Sequence, residues 1–356
     1  MTYLDYQATT PLAPEARAAM LEWLGGPDSA GFGNPHSAHR MGRAAAAAIE
    51  LARERVAMLC PSGGRVVFTG SATEAINLAI RGSGTGGTVA ASAIEHAAVL
   101  DTAQALGTLH SIPVSNEGLA DLTSPLPSDT RLVCMMQVNN EIGVVQDSAA
   151  WQARAREAGA LFLSDAVQAA GKLAVVDADL IALSAHKLHG PKGIGALWVR
   201  DGVQLDPQIT GGGQEQGLRS GTLSPALCAG FGVAAQLALE RQAEDTAHVA
   251  ALSARARSLF AGWTINGSAT HRWPGNLNLR LDGLDVARLM SECRHVAFSA
   301  GSACASGSGR PSHVLRAIGL TDAQAKSSIR LGFGRYTTME SLEAAAKTLI
   351  NAALQQ

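Results

Sequence analysis

The sequence has no excess of charge and no long apolar run, and both absences narrow the class of protein. Among 356 residues, 28 lysines and arginines nearly balance 30 aspartates and glutamates, which leaves a net charge of -2. This balance offers no bulk attraction to a nucleic-acid backbone or an anionic membrane. No apolar run reaches the length of a bilayer span, and the first residues lack the basic start and apolar stretch of a secretory signal. We therefore expect a cytoplasmic protein that binds neither nucleic acid nor membrane.

Cysteines are too few and too scattered for a disulfide framework or a structural zinc site. The sequence contains five of them, without a C-x-x-C pair: Cys60, Cys134, Cys228, Cys293 and Cys304. An odd number leaves at least one thiol free, and the missing pair excludes the usual zinc-binding spacing. We expect no metal site.

The length and the pattern of apolar runs predict an α/β fold in two domains. A chain of 356 residues is longer than single cores usually grow. Helical patterns alternate with six short runs that are apolar on both faces, as strands covered by helices on two sides should be. These runs are 66–68, 88–90, 132–135, 161–163, 181–183 and 197–199. We predict a large domain over residues 13–243 with a mostly parallel sheet.

The pattern changes after about residue 243. A long helical segment is followed by mixed strands around residues 277–279 and by a final helix near residues 339–354. We predict that this part forms a smaller α+β domain, made of residues 244–356 and completed by residues 1–12.

A turn of small residues follows the first of the apolar runs and opens a helical pattern. It reads Gly70, Ser71, Ala72, Thr73 and Glu74. A helix that starts there presents unpaired backbone N–H groups and hydroxyls, which suit a phosphate group. An ordinary helix start capped by Ser71 explains the same residues equally well.

Asp165 and Lys187 each follow a predicted strand. Ligands bind beyond the carboxyl ends of the strands in such sheets, so the two side chains should flank one pocket. A carboxylate and an amine in one pocket are what pyridoxal phosphate (PLP) requires, the first for its ring nitrogen and the second for its aldehyde. Either residue alone could instead belong to a surface ion pair, and Lys192 is a competing lysine.

Nine motifs along the chain resemble, in the same order, those of bacterial cysteine desulfurases. They lie at residues 3–11, 33–37, 68–74, 138–143, 184–187, 211–215, 219–222, 301–304 and 327–330. Several independent motifs in one order are far more specific than a single match. The resemblance implies the type I fold of PLP-dependent enzymes, in the class V aminotransferase superfamily.

The resemblance also implies the residues that hold PLP. Lys187 matches the lysine that binds the cofactor covalently, and Asp165 matches the partner of the ring nitrogen. Gln168 and Asn140 match residues that contact the ring hydroxyl or the substrate. The predicted phosphate-binding residues are Ala72, Thr73, Ser184 and His186. Thr222 matches a residue that reaches the phosphate of a neighbouring subunit, which implies a homodimer with shared active sites.

Three further residues are implied to act on the substrate. His96 matches a histidine stacked on the cofactor ring and is a candidate acid-base group, although without the resemblance a helix-capping histidine is the simpler reading. Arg330 matches the arginine that binds the substrate carboxylate, with Arg335 as its rival. Cys304 lies among glycines and serines, typical of an exposed loop, and matches the cysteine that carries a persulfide.

The implied activity is removal of sulfur from L-cysteine, which yields L-alanine and a persulfide on Cys304 for an acceptor protein. Iron-sulfur cluster assembly or a thiolation pathway would use that sulfur. Alternatives are an aminotransferase or selenocysteine lyase of the same fold, or a sulfur-relay scaffold without turnover. The sequence departs from the usual motifs at Gln7, at Gly70 and Ser71, and at Ala300.

Overall fold

The computed structural model describes residues 1–301 and 312–356. The strands are β1 (Thr2–Tyr3), β2 (Gly64–Thr69), β3 (Thr88–Ser92), β4 (Leu109–Ile112), β5 (Thr130–Met136), β6 (Leu161–Asp165), β7 (Leu180–Ser184), β8 (Gly195–Arg200), β9 (Thr264–Ile265), β10 (Asn276–Arg280), β11 (Val296–Ala297), β12 (Ser299–Ala300) and β13 (Ser328–Gly332). The helices are α1 (Pro14–Leu21), α2 (Arg40–Ala57), α3 (Ala72–Gly82), α4 (Ala97–Ala105), α5 (Ser148–Glu157), α6 (Pro225–Glu240), α7 (Gln242–Leu259), α8 (Val286–Glu292), α9 (His313–Ala317), α10 (Asp322–Lys326) and α11 (Met339–Ala353). Short 3-10 helices lie at Ala185–Lys187 and Glu215–Gly217.

A seven-stranded sheet in the order β2-β8-β7-β6-β5-β3-β4 forms the larger layer. The neighbours from β7 to β4 pair in parallel, and β8 is antiparallel to both β2 and β7. Each of the six predicted apolar runs lies inside one of these strands. The prediction of an α/β fold with a mostly parallel sheet is therefore confirmed.

Helices cover both faces of this sheet, as the two-sided apolar runs predict. Successive residues of a strand point to opposite faces. Val66 and Phe68 of β2 pack with side chains of α2, α5 and α6, whereas Val67 packs with those of α3 and α4. Every residue of β7 is buried. The ends of the strands are thus the part of the sheet open to a ligand.

A second, antiparallel sheet of β12, β13, β10 and β9 has its own apolar core with α7, α8 and α11. The predicted long helical segment, the strand near residue 278 and the final helix correspond to α7, β10 and α11. Residues at the start of the chain join this part, since β1 pairs with β11 in parallel and Leu4 lies in the same core. The limits of the two domains stay a prediction.

Gly195, the first residue of β8, brings two strand ends together. It pairs with Thr69 at the end of β2 and with Ser184 at the end of β7. A Cβ atom at this position would lie 2.5 Å from the carbonyl carbon of Ser71 and 2.6 Å from the backbone nitrogen of Ala72. Only glycine lets the start of α3 approach so closely. The small-residue turn therefore lies next to the segment that carries Lys187.

Candidate active site

A cavity of about 300 Å³ lies at the carboxyl ends of β2, β6 and β7. Ten of the predicted site residues line it: Ala72, Thr73, His96, Asn140, Asp165, Gln168, Ser184, His186, Lys187 and Arg330. Thr222 is exposed and does not line this cavity. Cys304 lies outside the residues that the structure describes. The structure thus brings together side chains from separate motifs, as the strand-end argument predicts.

Lys187 reaches the cavity from the 3-10 helix that follows β7 directly. Its Nζ atom donates hydrogen bonds to the backbone carbonyls of Gln7 at 2.5 Å and Ala8 at 2.9 Å. The competing Lys192 is exposed and is not part of the cavity lining. Of the two lysines, Lys187 is therefore the one placed to react with a bound ligand.

Asp165 ends strand β6 and is only 5% exposed. One oxygen, Oδ1, accepts a hydrogen bond from the backbone N–H of Val167 at 2.9 Å. Burial raises the pKa of Asp165, while that N–H, His96 and Lys187 act in the opposite direction. A buried carboxylate of this kind gains from a cationic N–H partner inside the cavity.

His96 caps a helix and also lines the cavity. Its Nδ1 atom caps α4 by accepting the backbone N–H of Ala98 at 3.0 Å, and the same residue lines the cavity. An Nδ1 acceptor assigns the proton of the neutral ring to Nε2. Burial lowers the pKa of His96, so the neutral form is favoured. The helix cap thus fixes the tautomer of a cavity residue.

The start of α3 forms one end of the cavity. Ser71 caps the helix by accepting the backbone N–H of Glu74 at 3.2 Å, so the capping prediction is correct. The first N–H groups of an α-helix still have no partner within the helix and favour an anion. Ser184 and His186 face the same space, and His186 contacts the hydroxyl of Thr9 at 3.1 Å. Burial lowers the pKa of His186 to about 4, with Lys187 adding to the effect.

Arg330 lines the cavity although it is only 1% exposed. Its guanidinium donates to the carboxylate of Asp5 at 2.8 Å, to the hydroxyl of Ser299 at 3.1 Å and to the carbonyl of Asn140 at 3.0 Å. The rival Arg335 binds Asp245 at 2.7 Å and lies outside this cavity. The geometry therefore favours Arg330 as the arginine available to a ligand.

The donor set of the cavity fits PLP. A helix start and hydroxyls suit a phosphate, the buried Asp165 suits a protonated ring nitrogen, and the amine of Lys187 suits an aldehyde. The sequence-based prediction missed the contributions of Asp5 and of the backbone carbonyls of Gln7 and Ala8. Asp5 and Gln7 lie within one of the recognised motifs, which is the signal that could have drawn attention to them.

Comparison with known proteins identifies the class to which this fold and site belong. The model of the class V aminotransferase family matches residues 2–345. The chain therefore belongs to this family of PLP-dependent enzymes, which confirms the predicted family and cofactor.

The chain also resembles individual proteins over nearly its whole length. The chain is 41% identical to cysteine desulfurase IscS of Colwellia psychrerythraea, over 98% of this chain and 91% of that protein. It is 43% identical to cysteine desulfurase IscS of Pseudomonas aeruginosa, over 98% of this chain and 92% of that protein.

Solved structures agree with the fold. A NifS-like protein superimposes with a TM-score of 0.91 at 30% identity, covering 100% of both chains. A structure described as SspA in complex with cysteine has a TM-score of 0.82 at 34% identity, covering 95% of this chain and 100% of that one. The predicted type I fold of PLP enzymes is confirmed.

Proposed function

We propose that this chain is a cysteine desulfurase, which takes sulfur from L-cysteine onto Cys304 and releases L-alanine. One observation carries the proposal: Lys187, Asp165 and Arg330 line a single cavity in a chain that is 41–43% identical to proteins named cysteine desulfurase. The similarity to a structure described as SspA in complex with cysteine supports L-cysteine as the substrate of this chain.

Different residues of the cavity bind different groups of PLP. Ala72, Thr73, Ser184 and His186 hold the phosphate, through the start of α3 and polar side chains. Asp165 keeps a proton on the ring nitrogen, which compensates its own buried charge. When bound there, PLP supplies an electron sink for negative charge that develops at the substrate Cα.

Arg330 binds the carboxylate of L-cysteine, assisted by Asn140. A planar guanidinium matches a carboxylate with two parallel hydrogen bonds. Burial of this arginine, together with its bonds to Asp5 and Ser299, holds the donor plane in one orientation. The substrate carboxylate is thereby held in one orientation.

Lys187 moves the proton of the substrate Cα. Its amine leaves the carbonyls of Gln7 and Ala8 and acts as the base, and later returns a proton. The thiolate of Cys304 attacks the substrate sulfur, so an S–S bond forms while the Cβ–S bond breaks and its electron pair stays with the carbon. His96 is the group that exchanges a proton with the substrate thiol or the product carbon.

We propose a homodimer in which Thr222 reaches the phosphate site of the partner subunit. The exposed position of Thr222, outside the cavity of its own chain, supports this assignment.

The sulfur of the Cys304 persulfide passes to an acceptor protein in iron-sulfur cluster assembly or a thiolation pathway. We also propose two domains, residues 13–243 and residues 1–12 with 244–356, supported by the separate apolar core of the smaller sheet.

We propose that the protein works in the cytoplasm. The four described cysteines are unpaired, as expected in a reducing compartment. No helix within residues 1–301 and 312–356 is long and apolar enough to cross a bilayer.

The test is incubation of the purified, PLP-loaded protein with L-cysteine, followed by assays for alanine and for reducible sulfur. We expect both products in equal amounts. Formation of 3-mercaptopyruvate, or a requirement for an amino-group acceptor, would instead indicate an aminotransferase, and activity with selenocysteine alone would indicate a selenocysteine lyase. Absence of any product would favour a scaffold without turnover.

A further inference from the structure

Lys172 is a second lysine beside the candidate active site, and the roles proposed above do not use it. Its Nζ atom donates to Oε1 of Gln168 at 3.3 Å. The Nε2 atom of the same amide donates to the backbone carbonyl of Gln7 at 3.0 Å. That carbonyl also accepts from Lys187 at 2.5 Å. A chain of hydrogen bonds thus connects Lys172 with Lys187 through Gln168 and Gln7.

The surroundings of Lys172 are unusual for a lysine. It lines a small cavity together with Lys187, His189, Asp245 and Arg335. Burial, and secondarily the charge of Lys187, lowers the pKa of Lys172 to about 7. The amine can donate a hydrogen bond to Gln168 in either protonation state. Lys172 is half-buried, so its amine, partly removed from water, gains from a hydrogen-bond partner.

Gln168 connects Lys172 with the active-site cavity. It is only 4% exposed and lines the active-site cavity. An amide side chain can rotate so that its oxygen and nitrogen exchange places. With Oε1 bound to Lys172 and Nε2 bound to Gln7, both ends are constrained, and the second Nε2–H remains for a ligand in the cavity.

We propose that Lys172 is a positioning residue of the cofactor site, which holds the Gln168 amide with its N–H group directed to the ligand. The proposal rests on the assignment of the cavity to PLP. It assigns no direct contact between Lys172 and the cofactor. The effect of Lys172 must therefore depend on the presence of Gln168.

The first experiment measures PLP affinity and the pH midpoint of the visible absorbance of bound PLP. Lys172→Met keeps the length of the side chain and removes the donor. We expect PLP affinity to fall about three- to tenfold, the effect of one hydrogen bond. If the Gln168 amide donates to the ring hydroxyl of PLP, as the resemblance implies, the pH midpoint should rise, because loss of that donor disfavours the ionised form of the hydroxyl. Lys347→Met, on the exposed face of α11, is the matched control and should change neither quantity.

The second experiment is a double-mutant cycle with Gln168→Ala. If Lys172 acts through Gln168, Lys172→Met should lower PLP affinity less than about twofold further in the Gln168→Ala background. Independent losses that multiply would overturn the proposal, as would unchanged affinity and unchanged absorbance in Lys172→Met alone.

Lys172→Arg is the rescue variant, since it keeps N–H donors at a similar distance. Its PLP affinity should stay within about twofold of the original protein. A loss as large as that of Lys172→Met would contradict a role as donor. If near-ultraviolet circular dichroism shows that Lys172→Met does not fold, Lys172→Arg is used alone to test the proposal. None of these measurements uses L-cysteine, so the proposal can fail while the proposed desulfurase activity stands.

Discussion

The carboxylate of Asp5 lies 2.8 Å from Nη2 of Arg330, which joins two residues 325 positions apart in the sequence. The arginine is almost fully buried, and the side chain of Asp5 is 18% exposed. Ser299 donates to the same carboxylate oxygen at 2.8 Å. Asp5 thus supplies the counter-charge of the arginine that we propose to bind the substrate carboxylate.

Asp5→Asn should lower the free energy of unfolding by about 2–4 kcal/mol, because a buried guanidinium is left without its counter-charge. Urea denaturation at neutral pH measures the change. The matched control is Asp322→Asn, whose partner Arg316 is more than half exposed, and there we expect less than about 1 kcal/mol. Equal losses in the two variants would show that Asp5 is an ordinary surface ion-pair member.

Lys187→Ala should remove the covalent link between protein and PLP and abolish turnover, because it deletes the amine that the cavity provides. The visible spectrum of the purified variant and an alanine assay measure the two effects. Lys192→Ala is the control, since Lys192 is exposed and lies outside the cavity lining. Release of alanine at the original rate by Lys187→Ala would refute the assignment.

The sequence alone was sufficient to predict the fold class, because local apolar patterns indicate the strands of the sheet. Six apolar runs became strands, and the polar residues that end or follow them, Asp165 and Lys187, line one cavity. Strand β4 was not predicted, and three of its four residues are exposed or half-buried, so it lacks an apolar run. Hydrophobic patterning detects burial, so it finds the edge strand β2, whose last four residues are buried, and misses the edge strand β4, which buries only one residue.

Contacts between distant parts of the chain were beyond sequence reasoning. The pairing of Gly195 with both Thr69 and Ser184 depends on strand order and register, which no local pattern specifies. The bonds of Asp5 to Arg330 and of Lys172 to Gln168 depend on where side chains point after folding. Recognised motifs supplied the candidate residues, and only the three-dimensional structure supplied the residues that hold them in place.

Asp165→Ala should keep the fold, weaken PLP binding and slow removal of the Cα proton, since an unprotonated ring nitrogen accepts electrons poorly. We expect turnover to fall more than tenfold, equivalent to about 1.4 kcal/mol in the barrier. Asp177→Ala serves for comparison, because Asp177 is exposed and pairs with Arg200. If turnover of Asp165→Ala falls less than tenfold, Asp165 is not the partner of the ring nitrogen.

The most discriminating prediction concerns Cys304, because the alternative activities, those of an aminotransferase or a selenocysteine lyase, need not use this thiol. Burial raises the pKa of Cys60 and Cys228 to about 12 and that of Cys134 well above its usual range. Burial also raises the pKa of Cys293. Little thiolate is therefore available at these four positions near neutral pH, and thiolate is the attacking species. Cysteine-derived sulfur should therefore be found on Cys304.

Cys304→Ser should still bind PLP and L-cysteine, since Lys187, Asp165 and Arg330 are unchanged, but it should release no alanine. A serine hydroxyl is a poor nucleophile toward sulfur and cannot hold a persulfide. Cys60→Ser is the control and should retain activity, because Cys60 lies outside the active-site cavity. Mass spectrometry after treatment with L-cysteine should place one added, reducible sulfur on the peptide that contains Cys304. Full activity of Cys304→Ser, or sulfur on another cysteine, would rule out the mechanism and favour a lyase.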